Sequence, residues 1–175
     1  MTATPQPEFS RRVLLARLGA DPYRQTISAS GKEREALARR FDLVSLDRLD
    51  AEIELSRRGP DLVLLSASFT AEFAQNCVIT MEPVAAAVSE EFSLLYGPPE
   101  VESQAAGAVE DDCAFEPLAG DAIDIGEAIA QQFSLALPSF PRAPNADLAT
   151  EMPPQPEEAG PLAAALAKLA GPEHK

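Results

Sequence analysis

The sequence is poor in the groups that catalysis usually needs. Its 175 residues include one histidine, His174, next to the terminal Lys175, where no neighbouring element is expected to hold it in place. That excludes most Ser–His and Cys–His nucleophile arrangements, which need a base fixed within hydrogen-bond reach. No glycine-rich phosphate loop and no dinucleotide fingerprint occurs. Carboxylates are plentiful, but no spacing singles out a pair for general acid–base work, so solvated faces are the expectation for them. The two cysteines, Cys77 and Cys113, are too few for a disulfide scaffold, which points to a reducing compartment, the cytoplasm. The first twelve residues lack the apolar stretch of a secretory signal. No run approaches eighteen apolar residues, so no membrane span is expected.

Positive charge is the other scarcity, and it is uneven. Residues 1–60 hold eleven Arg and Lys against nine Asp and Glu, whereas residues 61–175 hold three against nineteen. The net charge of −14 therefore belongs to the second part of the chain. Such a surface repels phosphate and suits a basic partner, unless its acidity serves solubility alone. Any contact with nucleic acid has to come from the first third. There Arg39 and Arg40 lie with Arg34 on one helix, with Arg11, Arg12, Arg57 and Arg58 elsewhere. Glu33, Glu35, Asp42 and Asp47 lie among them, so surface ion pairing competes with RNA binding, and few aromatics are near enough to stack bases.

What remains is periodic and globular. Residues 1–9 are expected to be a flexible leader, followed by one domain over 10–138. Val13–Leu18 and Tyr23–Ser28 read as short strands around a Gly-Ala-Asp-Pro turn. Ser30 opens a helix ending near Phe41, with Glu33 at the capping-box position. Strict alternation marks long half-buried strands: Leu49, Ala51, Ile53 and Leu55 share one face, as do Val63, Leu65, Ala67, Phe69, Ala71 and Phe73. Val84–Leu95 is a third, interrupted on its apolar face by Glu90. Residues 97–120 are acidic and aperiodic and read as a flexible loop, either a plain solvated linker or a docking segment through Glu110, Asp111 and Asp112. Asp124–Leu137 is a helix with Ile125, Ile129 and Phe133 on one stripe, weakened by Gly126 and stopped by Pro138. Residues 139–160 are a proline-rich linker. Residues 161–171 form a short amphipathic helix with Leu162, Leu166 and Leu169 on one face, too short to be stable alone and therefore folded on its own domain or on a partner. The fold class is α+β: an antiparallel sheet of about five strands, two packed helices, an acidic loop and a tail.

Cys77 lacks a second cysteine three residues on, where Thr80 stands, so a structural zinc site is not expected and no metal or cofactor is assigned. The sulfur reads as a small buried hydrophobe or a strand-end thiol.

Several segments carry a resemblance: Pro7-Glu8-Phe9-Ser10-Arg11, Asn76-Cys77-Val78-Ile79-Thr80-Met81-Glu82-Pro83-Val84, the helix from Asp124 to Leu137-Pro138, and the Pro161–Leu169 tail. In this order and spacing the chain resembles the YceD-like family of large-subunit ribosomal RNA accumulation proteins, particularly its alphaproteobacterial branch. The resemblance implies a non-catalytic role in 23S rRNA accumulation and large-subunit assembly. It also implies a partner such as a basic large-subunit ribosomal protein, the pre-50S particle or rRNA itself. It matches Cys77, Glu82, Pro83, Asp124, Leu137 and Pro138 to the family's motifs. Many members carry a second Cys where this chain has Thr80, and a metal or redox role does not carry over. A carboxylate- and metal-dependent nuclease or hydrolase, and an acidic adaptor for another client, are the alternatives. A monomer is expected.

Overall fold

The computed structural model of the protein describes residues 7–101, 113–118, 120–144 and 146. Strands β1 (Arg12–Leu14), β2 (Tyr23–Ser28), β3 (Ser45–Arg57), β4 (Val63–Asn76), β5 (Pro83–Gly97), β6 (Ala114–Pro117) and β7 (Ala122–Asp124) accompany helices α1 (Gly31–Arg40) and α2 (Ile125–Ala136). Five strands form one sheet in the order β2-β3-β4-β5-β6, and β1 pairs with β7 in a separate two-stranded sheet. The sheet is antiparallel except at its end, where β6 runs parallel to the last residues of β5.

The alternating apolar residues decide which face is covered. Leu49, Ala51, Ile53 and Leu55 of β3 and Val63, Leu65, Ala67, Phe69, Ala71 and Phe73 of β4 are all buried. Both helices and the small sheet pack over this face. Phe133 of α2 lies at its centre, with its ring edge-on to Phe73, Phe41 and Phe69 at centroid distances of 5.5, 5.9 and 6.3 Å. The capping box at Ser30 and Glu33 forms as the spacing requires. Asp124 caps α2 by accepting from the Glu127 amide.

Several expectations are corrected. The strand placed at Val13–Leu18 stops at Leu14, and Leu15–Arg17 turns as a 3-10 helix. The sheet is not wholly antiparallel, since the acidic stretch 97–120 contains Pro99–Val101 as a 3-10 turn and then β6. Cys113, placed in a flexible loop, is half-buried beside Leu64, Leu95, Leu62 and Phe115, a small apolar cluster on the opposite face of the sheet. Phe9, placed in the leader, is fully buried, because the chain there passes under α2. Gly126, read as a weakness of α2, is what lets that passage occur. A Cβ at 126 would lie 2.5 Å from the Phe9 carbonyl oxygen and 2.9 Å from the Arg11 nitrogen. The proline-rich stretch after Pro138 begins as a packed strap, with the Val78 amide bonded to the Pro141 carbonyl at 2.9 Å.

Candidate interaction surfaces

The arginines of the first third are largely spent within the fold. Arg11 makes a bidentate pair with Glu33 at 2.7 and 3.0 Å, and its guanidinium lies 4.8 Å from the centre of the Phe9 ring. The Arg11 hydrogen bonds, together with those from Ser30, hold the Glu33 carboxyl down to about 2 against the opposing effect of burial. Arg40 bridges Glu8 at 2.9 Å and Glu127 at 2.8 Å and stacks against Phe41. Its pKa is raised, chiefly by the hydrogen bond to Glu127. Arg57 donates to the Leu18 and Leu15 carbonyls, Arg24 pairs with Glu54, and Arg48 pairs with Asp50.

Of the two arginines singled out for partner binding, Arg39 is exposed on the last turn of α1 and only Arg40 is committed internally. Arg40→Ala should therefore lower stability by about 1 kcal/mol, through a lost network of charge-assisted hydrogen bonds and a lost cation–π contact. Arg39→Ala should stay within about 0.5 kcal/mol, as surface substitutions usually do. Paired thermal melts distinguish the two.

The family-motif residues gather at two places. Asp124 accepts from the Arg11 amide at 2.7 Å, from the Ser10 hydroxyl and from the Glu127 amide at 3.2 Å, tying the start of the domain to α2. Cys77, Glu82, Pro83, Leu137 and Pro138 belong to the other place, at the end of β4. The Cys77 amide donates to the Glu82 carbonyl at 2.8 Å, and Met81 closes the turn back onto the Cys77 carbonyl with a left-handed φ of 62°. Leu137 terminates α2, and the Pro138 carbonyl accepts from the Gln75 side chain at 3.3 Å.

The Cys77 sulfur faces inward with no exposed surface, covered by its own turn and by the strap. Thr80 turns its hydroxyl to the sulfur, and the amides of Ala143, Thr80 and Ile79 reach it at 3.4, 3.4 and 3.5 Å. These donors, Thr80 first, lower the thiol to about 6. A thiol whose pKa is depressed on folding adds stability above its unfolded value near 9.0 and loses it as the pH falls through about 6. In a Cys113→Ser variant the thiolate absorbance should titrate near 6 in the folded protein and near 9 once it is unfolded. A folded-state midpoint near 9 would show that the donors do not bind the thiolate. Among the described residues no group of three or more His, Cys, Asp or Glu side chains is placed to hold a metal ion.

The remaining surface is the face of the five-stranded sheet opposite the helices, which the described residues cover only around Leu64 and Leu95. An open groove of about 740 Å³ runs over it, with Ser66, Ser68 and Ser93 in its lining together with Glu52, Glu54 and Glu91. The register explains the arrangement: Glu52 of β3, Ser68 of β4 and Glu91 of β5 form one cross-strand row, and Glu54, Ser66 and Ser93 the next. Glu54 is paired with Arg24 at 2.7 Å. Among the described residues Glu52 and Glu91 have no cationic partner. Sequence reasoning set Glu52 and Glu54 on the polar side of β3 but had no signal for the groove that the three strands form together. Glu110, Asp111, Asp112, Leu162, Leu166 and Leu169 lie outside the described residues.

These surfaces define an α+β domain, with helices over one sheet face and, among the described residues, an acidic groove over the other. The chain belongs to the YceD family, described as large ribosomal RNA subunit accumulation protein YceD, whose model matches residues 65–168, more than half of the chain. The match begins in β4 and takes in the Cys77 turn, the acidic connection, α2 and the tail. No curated protein and no solved structure matches the chain. The family is named for RNA accumulation and not for a reaction. Among the described residues no helix is long and apolar enough to cross a membrane.

Proposed function

We propose that the protein supports 23S rRNA accumulation without catalysing a reaction, by binding a basic large-subunit ribosomal protein during assembly of that subunit in the cytoplasm. Family membership supplies the process. The observation that favours a basic protein over RNA is the placement of charge. Arg11, Arg24, Arg40, Arg48 and Arg57 are engaged by carboxylates or carbonyls of the same chain, while Glu52 and Glu91 stand on an open face without cations among the described residues. Complementary charge of this kind speeds encounter and selects partners. The resemblance to the alphaproteobacterial branch rests on motif order and adds no further function.

The test is the ratio of 23S to 16S rRNA, with subunit gradients, in cells depleted of the protein. A fall in the ratio that the wild-type gene restores supports the proposal. Normal 50S particles at an unchanged ratio would overturn it and leave an acidic adaptor for another client. Arg39 gives the rRNA alternative its own check: direct RNA binding by the purified protein should weaken in Arg39→Ala and fall with added salt.

A further inference from the structure

Strand β5 is fifteen residues long, yet its outer neighbour β6 pairs only with Leu94–Gly97. Among the described residues nothing pairs with the outer side of residues 83–93. Unpaired edges of this length are templates for another strand, and proteins commonly guard them with charge, proline or a bulge. This edge begins at Pro83, and its residues up to 89 are small or β-branched: Val84, Ala85, Ala86, Ala87, Val88 and Ser89. Then come two consecutive carboxylates, and because successive side chains alternate, they guard both faces. Glu90 lies level with Phe69, whose side chain is in the core, and Glu91 lies level with Ser68 on the open face. Both are exposed, and neither has a cationic partner among the described residues.

A guard made of one sign of charge is selective. A second copy of this chain would bring Glu90 and Glu91 of its own to the edge, and like charges placed directly across strands destabilise pairing. A strand of opposite charge meets no such barrier. We propose that the open edge of β5 takes up an extended segment of a basic protein as an added strand, with two consecutive cationic residues set opposite Glu90 and Glu91. One cation would meet Glu90. The other would meet Glu91 on the groove face, where the next residues along the row are Ser68 and Glu52. Opposite Ala85, Ala86 and Ala87 the edge offers no bulk, so main-chain hydrogen bonds supply affinity there and the charge pair supplies register and choice of partner. This names the docking surface for the partner class proposed above and rests on that reading for its biological meaning, though not for its test.

The probe is a synthetic peptide of about ten Val and Thr residues carrying a central Arg–Arg pair, added to the full-length protein. Amide hydrogen exchange in residues 84–92 should slow on binding. A peptide N-methylated along its pairing edge should fail to protect them, and a Glu–Glu peptide should not bind. The double variant Glu90→Lys, Glu91→Lys, both positions being exposed, should melt like the wild type and bind the basic peptide roughly tenfold more weakly or worse. The proposal is overturned if the outward amides of β5 are already slow in the free protein. It is equally overturned if the peptide binds without protecting them, or if the protein sediments as a dimer that buries this edge. In depleted cells the two ideas separate. If the double variant restores 23S rRNA as fully as the wild type, the edge is not the docking surface and the assembly role stands. If depletion leaves 23S rRNA unchanged, the assembly role falls and the peptide experiment alone judges the edge.

Discussion

Phe133→Ala should lower the stability of this protein by about 3–5 kcal/mol and its Tm by roughly 10–20 °C, read from denaturant and thermal unfolding. Phe133 has no exposed surface and is the ring where the two layers meet. It packs edge-on against Phe41, just past α1, and against Phe69 and Phe73 on β4. Truncation removes the transfer free energy of one large side chain and three aromatic contacts, and it leaves a void bordered by a sheet and two helices that cannot close on it. Phe133→Leu fills most of the space and should recover about half of the loss. If Phe133→Ala cost under about 1 kcal/mol, the ring would not be the keystone of the interface.

The second large effect is a contrast between two glycines in the first turns of the two helices. Gly31→Ala in α1 meets no atom within 4 Å. It should stabilise the protein by up to about 1 kcal/mol, through better helix propensity and a less flexible unfolded chain. Gly126→Ala in α2 carries the same propensity gain and should nevertheless destabilise by about 2–4 kcal/mol, with Gly126→Val worse. The new Cβ would lie 2.5 Å from a backbone oxygen and 2.9 Å from a backbone nitrogen of the 9–11 segment, and backbone cannot swing aside as a flexible side chain can. Relief requires pulling Phe9 from its pocket and breaking the Arg11–Asp124 hydrogen bond. Opposite signs in one melting experiment would confirm the close passage. Equal signs would mean that the N-terminal segment does not run against α2.

Local pattern made the long elements legible. The alternation in β3 and β4 reports a sheet with one buried face, and the burial of Leu49 through Leu55 and Val63 through Phe73 follows it position by position. The capping spacing located the start of α1, and the apolar stripe with Pro138 located α2. Everything that depends on distant partners was silent. Nothing near Phe9 signals that α2, more than a hundred residues later, will cover it, and Gly126 looked like a defect because its reason lies in that same contact. β6 is four residues whose pairing is set by a crossover, not by its own period. The Cys77 turn was visible as a motif, but the strap that closes over it has no periodicity to read. Glu90 was noted as a break in an apolar face, and the reason is positional: that part of β5 lies at the sheet edge, where the core layer ends.

The pairing of β1 with β7 also has a consequence in time. Arg12 lies beside Asp124, so the two-stranded sheet cannot form until more than a hundred further residues have been synthesised. At ordinary elongation rates that is a wait of roughly 5–20 s. Meanwhile β2, β3, β4 and β5 are consecutive in the chain and antiparallel, and they can pair as each emerges. Four of the five strands of the large sheet can thus be paired before the β1–β7 clasp is made, with β6 following shortly before β7. During that interval Phe9 and the face later covered by α2 are open to whatever stands nearest, and the strap that closes over Cys77 is made later still.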